Sequence, residues 1–319
     1  PQRVSLLCHE GARAALFDKM GVPGGERPVQ VALGPEHVWV RFESGRLLRL
    51  TPAGGKVDVE MRLPEPEERW TAMDVDPADG SIWLASDRLR FVKVSPAGVV
   101  SRIPLRGITG TSDFTDLRLA GDSIWVGAVC AGYALLRFDR EGRLLGKAFP
   151  VEPPPDASEV VRDAAELGCG GAIRMERDAA GRLVAFDAFD RVTYEPDARG
   201  EWEVSGSELF TSVPTGYQSV VQGVDVGGAG EQWYVGKFAS ALFFWKGRPV
   251  FLGPAAIGSR ASRVLLVPGG GAVRELVESC YGNLIVGVAT DATRYAAITE
   301  RSVVFGDFAS APDLPGSSR

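Results

Sequence analysis

Histidine and asparagine are nearly missing from this chain of 319 residues: it holds two histidines, His9 and His37, and one asparagine, Asn283. General acid–base chemistry and metal ligation lean on histidine, so few arrangements remain for either. The four cysteines, Cys8, Cys130, Cys169 and Cys280, show no CxxC spacing, which argues against a zinc site. Basic runs are also missing, and the formal net charge is −6. Phosphate binding needs clustered Lys and Arg, so nucleic acid is excluded as a partner. No window approaches the ~20 apolar residues of a membrane helix, so no direct membrane span is expected.

Glycine and proline are plentiful, 39 and 21 residues, as a chain of many turns requires. The clearest organising stretch is 70–105, WTAMDVDPADGSIWLASDRLRFVKVSPAGVVSRIPL, which reads as four short strands and three tight turns. Ala72, Asp74 and Asp76 fall on one parity, Met73 and Val75 on the other, as in a strand with two different faces. Ile82-Trp83-Leu84 is an apolar run suited to a strand covered on both sides. Pro104 suits an outer edge. His37-Val38-Trp39-Val40 and Ser123-Ile124-Trp125-Val126 echo Ser81-Ile82-Trp83-Leu84. Weaker copies follow at Arg182-Leu183-Val184-Ala185, Gln232-Trp233-Tyr234-Val235 and Asn283-Leu284-Ile285-Val286. A period of about 40–50 residues with four strands per unit indicates a β-propeller. Units starting near Pro28, Arg69, Asp113, Gly170, Tyr217 and Val273 predict six blades of four antiparallel strands, with five or seven as alternatives.

The pieces DVDPADGSIWLAS, RLAGDSIWVGA and RMERDAAGRLVAF, with VSPAG and FDREG, resemble blades of bacterial NHL-like and virginiamycin-lyase-like propellers. The resemblance implies an architecture, and one architecture hosts many activities. Lyases of that kind rely on a histidine late in the chain; here none follows His37. The WD dipeptide signature of WD40 repeats is absent.

Three regions follow: a segment of residues 1–27 that closes the ring, a propeller over 28–308, and a disordered tail over 309–319. A short helix is expected in an insertion after the third unit, with Val160, Val161, Ala164 and Leu167 on its apolar side. For the cysteines, four separate buried thiols stand beside two disulfides. Cys8–Cys280 would clamp the ring closure, and Cys130–Cys169 would tie neighbouring blades. The chain opens on Pro1 without a Met, consistent with removal of a tag or leader. A periplasmic or secreted, extracytoplasmic location is expected.

Asp74, Asp116, Glu176 and Asp225 fall on inner strands, with Arg118 and Arg174 on equivalent strands to neutralise them. Trp70, Tyr217 and Gln218 lie where inner strands begin and could contact a ligand at the channel mouth. A Cys8–His9 pair would suit nucleophilic chemistry, but no orienting group accompanies it. The expected function is a non-enzymatic scaffold or binding propeller with a protein partner, contacted through loops 106–114, 156–171 and 210–218. It needs no cofactor. The alternative is a calcium-dependent hydrolase or lactonase, its cation held by inner-strand carboxylates.

Overall fold

The computed structural model describes residues 5–51, 55–63, 68–108, 113–129, 131–150, 173–178, 180–186, 193–196, 202–204, 222–223, 233–234, 241–254, 263–269, 272–277, 279–280 and 283–314. The expected helical insertion, Cys130, Cys169, Tyr217, Gln218 and Asp225 lie outside them.

The fold is all-β, a propeller of four-stranded antiparallel blades. After β1 (Arg13–Leu16) come four regular blades in chain order. The first is β2 (Pro28–Leu33), β3 (Val38–Phe42), β4 (Arg46–Thr51) and β5 (Lys56–Arg62). The second is β6 (Trp70–Val75), β7 (Ile82–Ser86), β8 (Arg90–Val94) and β9 (Val100–Pro104). The third is β10 (Asp113–Ala120), β11 (Ser123–Val129), β12 (Tyr133–Asp139) and β13 (Leu144–Pro150); the fourth is β14 (Arg174–Arg177), β15 (Leu183–Phe186), β16 (Thr193–Pro196) and β17 (Trp202–Val204). Strand position explains the sequence pattern. Every residue of β3 and β7 is buried, because second strands are covered on both faces, whereas outer β5 alternates between exposed and half-buried residues.

Beyond Val204 the described strands depart from the unit. A two-stranded pair, β18 (Gln222–Gly223) and β19 (Trp233–Tyr234), precedes a four-stranded sheet of β20 (Ala241–Trp245), β21 (Arg248–Pro254), β22 (Arg263–Gly269) and β23 (Ala272–Val277). Last is a five-stranded sheet in the order β1, β27 (Ser302–Asp307), β26 (Arg294–Thr299), β25 (Asn283–Thr290), β24 (Ser279–Cys280). Among the described residues, four regular blades therefore replace the six equal units expected. The unit expected from Val273 begins inside β23, which pairs with β22 and ends its sheet. The apolar run at Asn283 opens the innermost long strand, β25, where the equivalent runs of the first three blades form second strands. Apolar runs occur at both positions, so the pattern does not separate them. The inner strands still meet in a ring: β2 lies against β6, β6 against β10, β10 against β14, β14 against β20, β20 against β25, and β25 against β2.

The core is divided into layers between sheets. Val38, Val40 and Phe42 pack on Ala296, Ile298 and Val303 of the last sheet. Trp39 and Leu47 pack on Ile82 and Leu84 of the second blade. Trp83 and Phe91 meet Leu117, Val126 and Phe138 of the third. Each sheet buries its second face only through its neighbour.

Closure uses both chain ends. β1 pairs antiparallel with β27 as the outermost strand. Upstream, Leu6 and Leu7 are buried against Trp245, Ile285 and Tyr295, and the Tyr295 hydroxyl donates to the Leu7 carbonyl at 2.8 Å. The Cys8–Cys280 disulfide joins this segment to β24, with Cα atoms 5.5 Å apart, which bears out that pairing. The segment expected as a tail is held as far as Leu314. Ala311 and Leu314 are buried in the same cluster, and the Trp245 indole N–H donates to the Pro312 carbonyl at 2.9 Å.

Candidate functional site: the inner-strand charge network

The first three inner strands carry a bulge at the same place. Register skips one residue between Pro28 and Gln30, Trp70 and Ala72, and Phe114 and Asp116. A bulged residue loses its ladder partner and is free to bond elsewhere. The Thr71 carbonyl accepts from Gln30 Nε2 at 2.8 Å, and the Thr115 carbonyl accepts from Arg174 Nη1 at 2.7 Å. Both bonds cross between blades.

Beyond the bulges, equivalent positions alternate in charge: Asp74 on β6, Arg118 on β10 and Glu176 on β14 lie across from Trp83, Trp125 and Val184 of their second strands. Arg118 donates to Asp116 Oδ1 at 2.8 Å and to Glu176 Oε2 at 3.1 Å. Arg177 reaches back to Asp74 Oδ2 at 2.6 Å. The carboxylates also take backbone donors from the next blade: Asp74 from Leu119 N–H at 2.9 Å, and Asp116 from Met175 N–H at 2.8 Å. At the blade end Arg140 pairs with Asp76 at 2.6 Å.

The electrostatics follow from burial. Desolvation opposes the charge on Arg118, but Asp116, Glu176 and Asp74 outweigh it and raise the guanidinium further above its ordinary value. Desolvation pushes the Glu176 carboxyl up against the pull of Arg118. Arg174 is lowered by burial despite Asp116. The network joins blades by charge-assisted hydrogen bonds.

The structure brings Asp74, Asp116, Arg118, Arg174 and Glu176 together, as parts of one connected network. It does not bring Trp70 to the channel mouth: the indole is 4% exposed and packs among Ala32, Leu63 and Met73, because burial of a large apolar ring outweighs exposure at a strand start. His37 pairs with Asp58 at 3.1 Å. His9 accepts from the Gly11 N–H through Nδ1 and lies tilted against Tyr295 with ring centroids 6.2 Å apart. Desolvation and Lys246 lower its pKa, so the neutral imidazole is favoured. Among the described residues no three His, Cys, Asp or Glu side chains gather in a way that could hold a metal.

Two features were missed in the sequence. Arg177 supplies the cation for Asp74 across two blade boundaries, a link no local pattern carries. A tryptophan–cation pair recurs in three blades: Arg49 over Trp39 at 5.7 Å, Lys93 over Trp83 at 5.5 Å and Arg137 over Trp125 at 5.4 Å. Each cation faces its tryptophan in strand register. Its signal is visible once known, a basic residue 10 to 12 positions after each repeated tryptophan.

No family model and no curated protein matches the chain. Solved structures do. The streptogramin B lyase structure aligns over 92% of this chain and 97% of its own, at 11% identity and a TM-score of 0.53. Selenomethionine-substituted virginiamycin B lyase from Staphylococcus aureus aligns over 92% and 98%, at 12% identity and 0.52. YCF48 bound to D1 peptide aligns over 97% and 100%, at 12% identity and 0.51. Such identities speak for the fold alone, and the chain has the β-propeller architecture of the virginiamycin-lyase-like proteins.

Proposed function

We propose that this protein is a non-enzymatic recognition or scaffold propeller whose partner is another protein, and that it serves as a subunit of an extracytoplasmic assembly. The observation that carries this reading is the saturation of the inner-strand charges. Asp74, Asp116 and Glu176 each accept from guanidinium groups or backbone amides, which supports a structural role for groups an enzyme would hold ready for substrate. A calcium-dependent hydrolase needs carboxylate oxygens that converge on one point; here they point into bonds between blades. Lyase chemistry does not follow from a shared fold. YCF48, alike in fold, is bound to a peptide, a precedent for peptide recognition on this scaffold. The Cys8–Cys280 disulfide is in keeping with an oxidising compartment.

The test is the mass of the natively isolated protein with co-eluting chains identified. A defined, stoichiometric partner burying on the order of 1,000 Å² or more supports the reading. A lone 34.1 kDa species that hydrolyses lactones on addition of calcium overturns it.

A further inference from the structure

Arg41 stands apart from the other buried guanidinium groups. It is the fourth residue of β3, 8% exposed, between the first and second blades. Its Nε donates to Gln30 Oε1 at 2.8 Å, and Gln30 in turn donates through Nε2 to the bulge carbonyl of Thr71 at 2.8 Å. No carboxylate of the described residues lies within ion-pair distance of it. The nearest acidic influence is Glu43, exposed in the following turn, and burial outweighs it, lowering Arg41 to about 10. A buried cation is ordinarily paired. Arg118 and Arg177 satisfy that rule in the same molecule; among the described residues Arg41 does not.

The Arg41 geometry is that of a prepared donor. Gln30 is held by Thr71 and fixes the guanidinium plane through Nε, leaving the edge formed by the two Nη atoms. Neither Nη is both buried and unpartnered, so this edge reaches solvent. Two parallel N–H groups on one edge match the two oxygens of a carboxylate.

We propose that Arg41, oriented by Gln30, is a binding site for a carboxylate at the junction of the first two blades. The source is a small organic acid or the terminal carboxylate of a peptide. The site does not depend on the partner being a protein, so its failure leaves the scaffold reading intact, and the reverse.

The experiment follows the thermal unfolding midpoint of the full chain at pH 7 in sodium acetate, sodium phosphate and sodium chloride of matched ionic strength. Acetate is expected to raise the midpoint saturably over chloride, and over phosphate, whose dianion exceeds the single free charge. Arg41→Met is expected to lose that rise while being at least as stable in chloride, since an apolar side chain replaces an unpaired buried cation. Gln30→Leu keeps the cation and removes its orienting partner; its half-saturating acetate concentration is expected to rise ~10-fold. Pentaglycine with a free carboxylate, against its C-terminal amide, separates the sources. A rise with the free acid alone assigns a peptide terminus, and a rise with acetate but neither peptide assigns a small acid. No acetate-specific rise in the parent protein, or an equal rise in Arg41→Met, overturns the proposal. Should Arg41→Met not fold, an unchanged half-saturating concentration in Gln30→Leu overturns it.

Discussion

Asp116 holds the Met175 amide of the following blade with one carboxylate oxygen and meets Arg118 with the other, and Asp74 accepts both the Leu119 amide of the following blade and Arg177 through Oδ2. A single side chain thus joins two sheets, and its removal is felt in both. We expect Arg118→Met to destabilise the protein by about 3–5 kcal/mol in urea unfolding, because Asp116 and Glu176 lose their buried counter-charge. Replacing all three, as Asp116→Asn, Arg118→Met and Glu176→Gln, is expected to recover much of that loss. Turn aspartates set the acid limit. Asp79 is pushed up by desolvation, but Lys93 and Ser81 outweigh this and hold it at about 2. Its folded pKa lies below the unfolded value, so the stability it contributes is present above ~3.9 and is lost as pH falls toward 2. Asp58, Asp178 and Asp291 are shifted the same way. Urea midpoints measured from pH 5 to pH 2 are expected to fall, and Asp79→Asn is expected to flatten the lower end of that curve. Its side chain is 46% exposed, so solvent screening keeps the effect small.

Between elements, repetition is physical as well as sequential. The bulges on β6 and β10 offer the Thr71 and Thr115 carbonyls to a neighbouring blade at equivalent positions, and in the first three blades the second strand carries a tryptophan facing a cation on the third. Truncating Lys93 or Arg137 to Ala is expected to cost about 0.5–1 kcal/mol each, read with the tryptophan emission of the same variant. The β12–β13 turn shows why glycine recurs at turn ends. Gly142 has φ +80°, and a Cβ there would lie 2.5 Å from the Pro104 carbonyl oxygen of the second blade. The contact is close because Arg106 N–H donates to the Gly142 carbonyl at 2.8 Å, tying two blades at their outer edges. Gly142→Ala is expected to cost about 1–3 kcal/mol in the same unfolding measurement.

At the scale of the whole molecule, the ring is closed by a covalent clamp and by packing of both ends. β1 is only four residues long and largely exposed, so strand pairing alone holds it lightly. The weight falls on Cys8–Cys280 and on the cluster that takes in Leu6, Leu7, Ala311 and Leu314. The double variant Cys8→Ser, Cys280→Ser is expected to lose about 2–5 kcal/mol, the range for disulfides that close long loops. Reducing agent is expected to lower the urea midpoint of the parent protein and leave the double variant unchanged. Removing 309–319 uncovers the Trp245 ring, whose emission is expected to shift to longer wavelength.

Strand alternation, turn chemistry and the recurring tryptophan determined the first four blades, since each blade folds from contiguous residues and writes its period locally. The same local reading placed Asp74, Asp116, Arg118, Arg174 and Glu176 on inner strands, because parity alone assigns a face. Tertiary structure decided the rest. Whether Val273 begins or ends a sheet depends on which strand it pairs with, and both strands look alike in sequence. Which arginine neutralises Asp74 depends on blade-to-blade geometry 103 residues away. That Arg41 meets no carboxylate among the described residues, and that Trp70 is shut off from solvent, follows from packing between sheets. A chain read one blade at a time does not contain that packing.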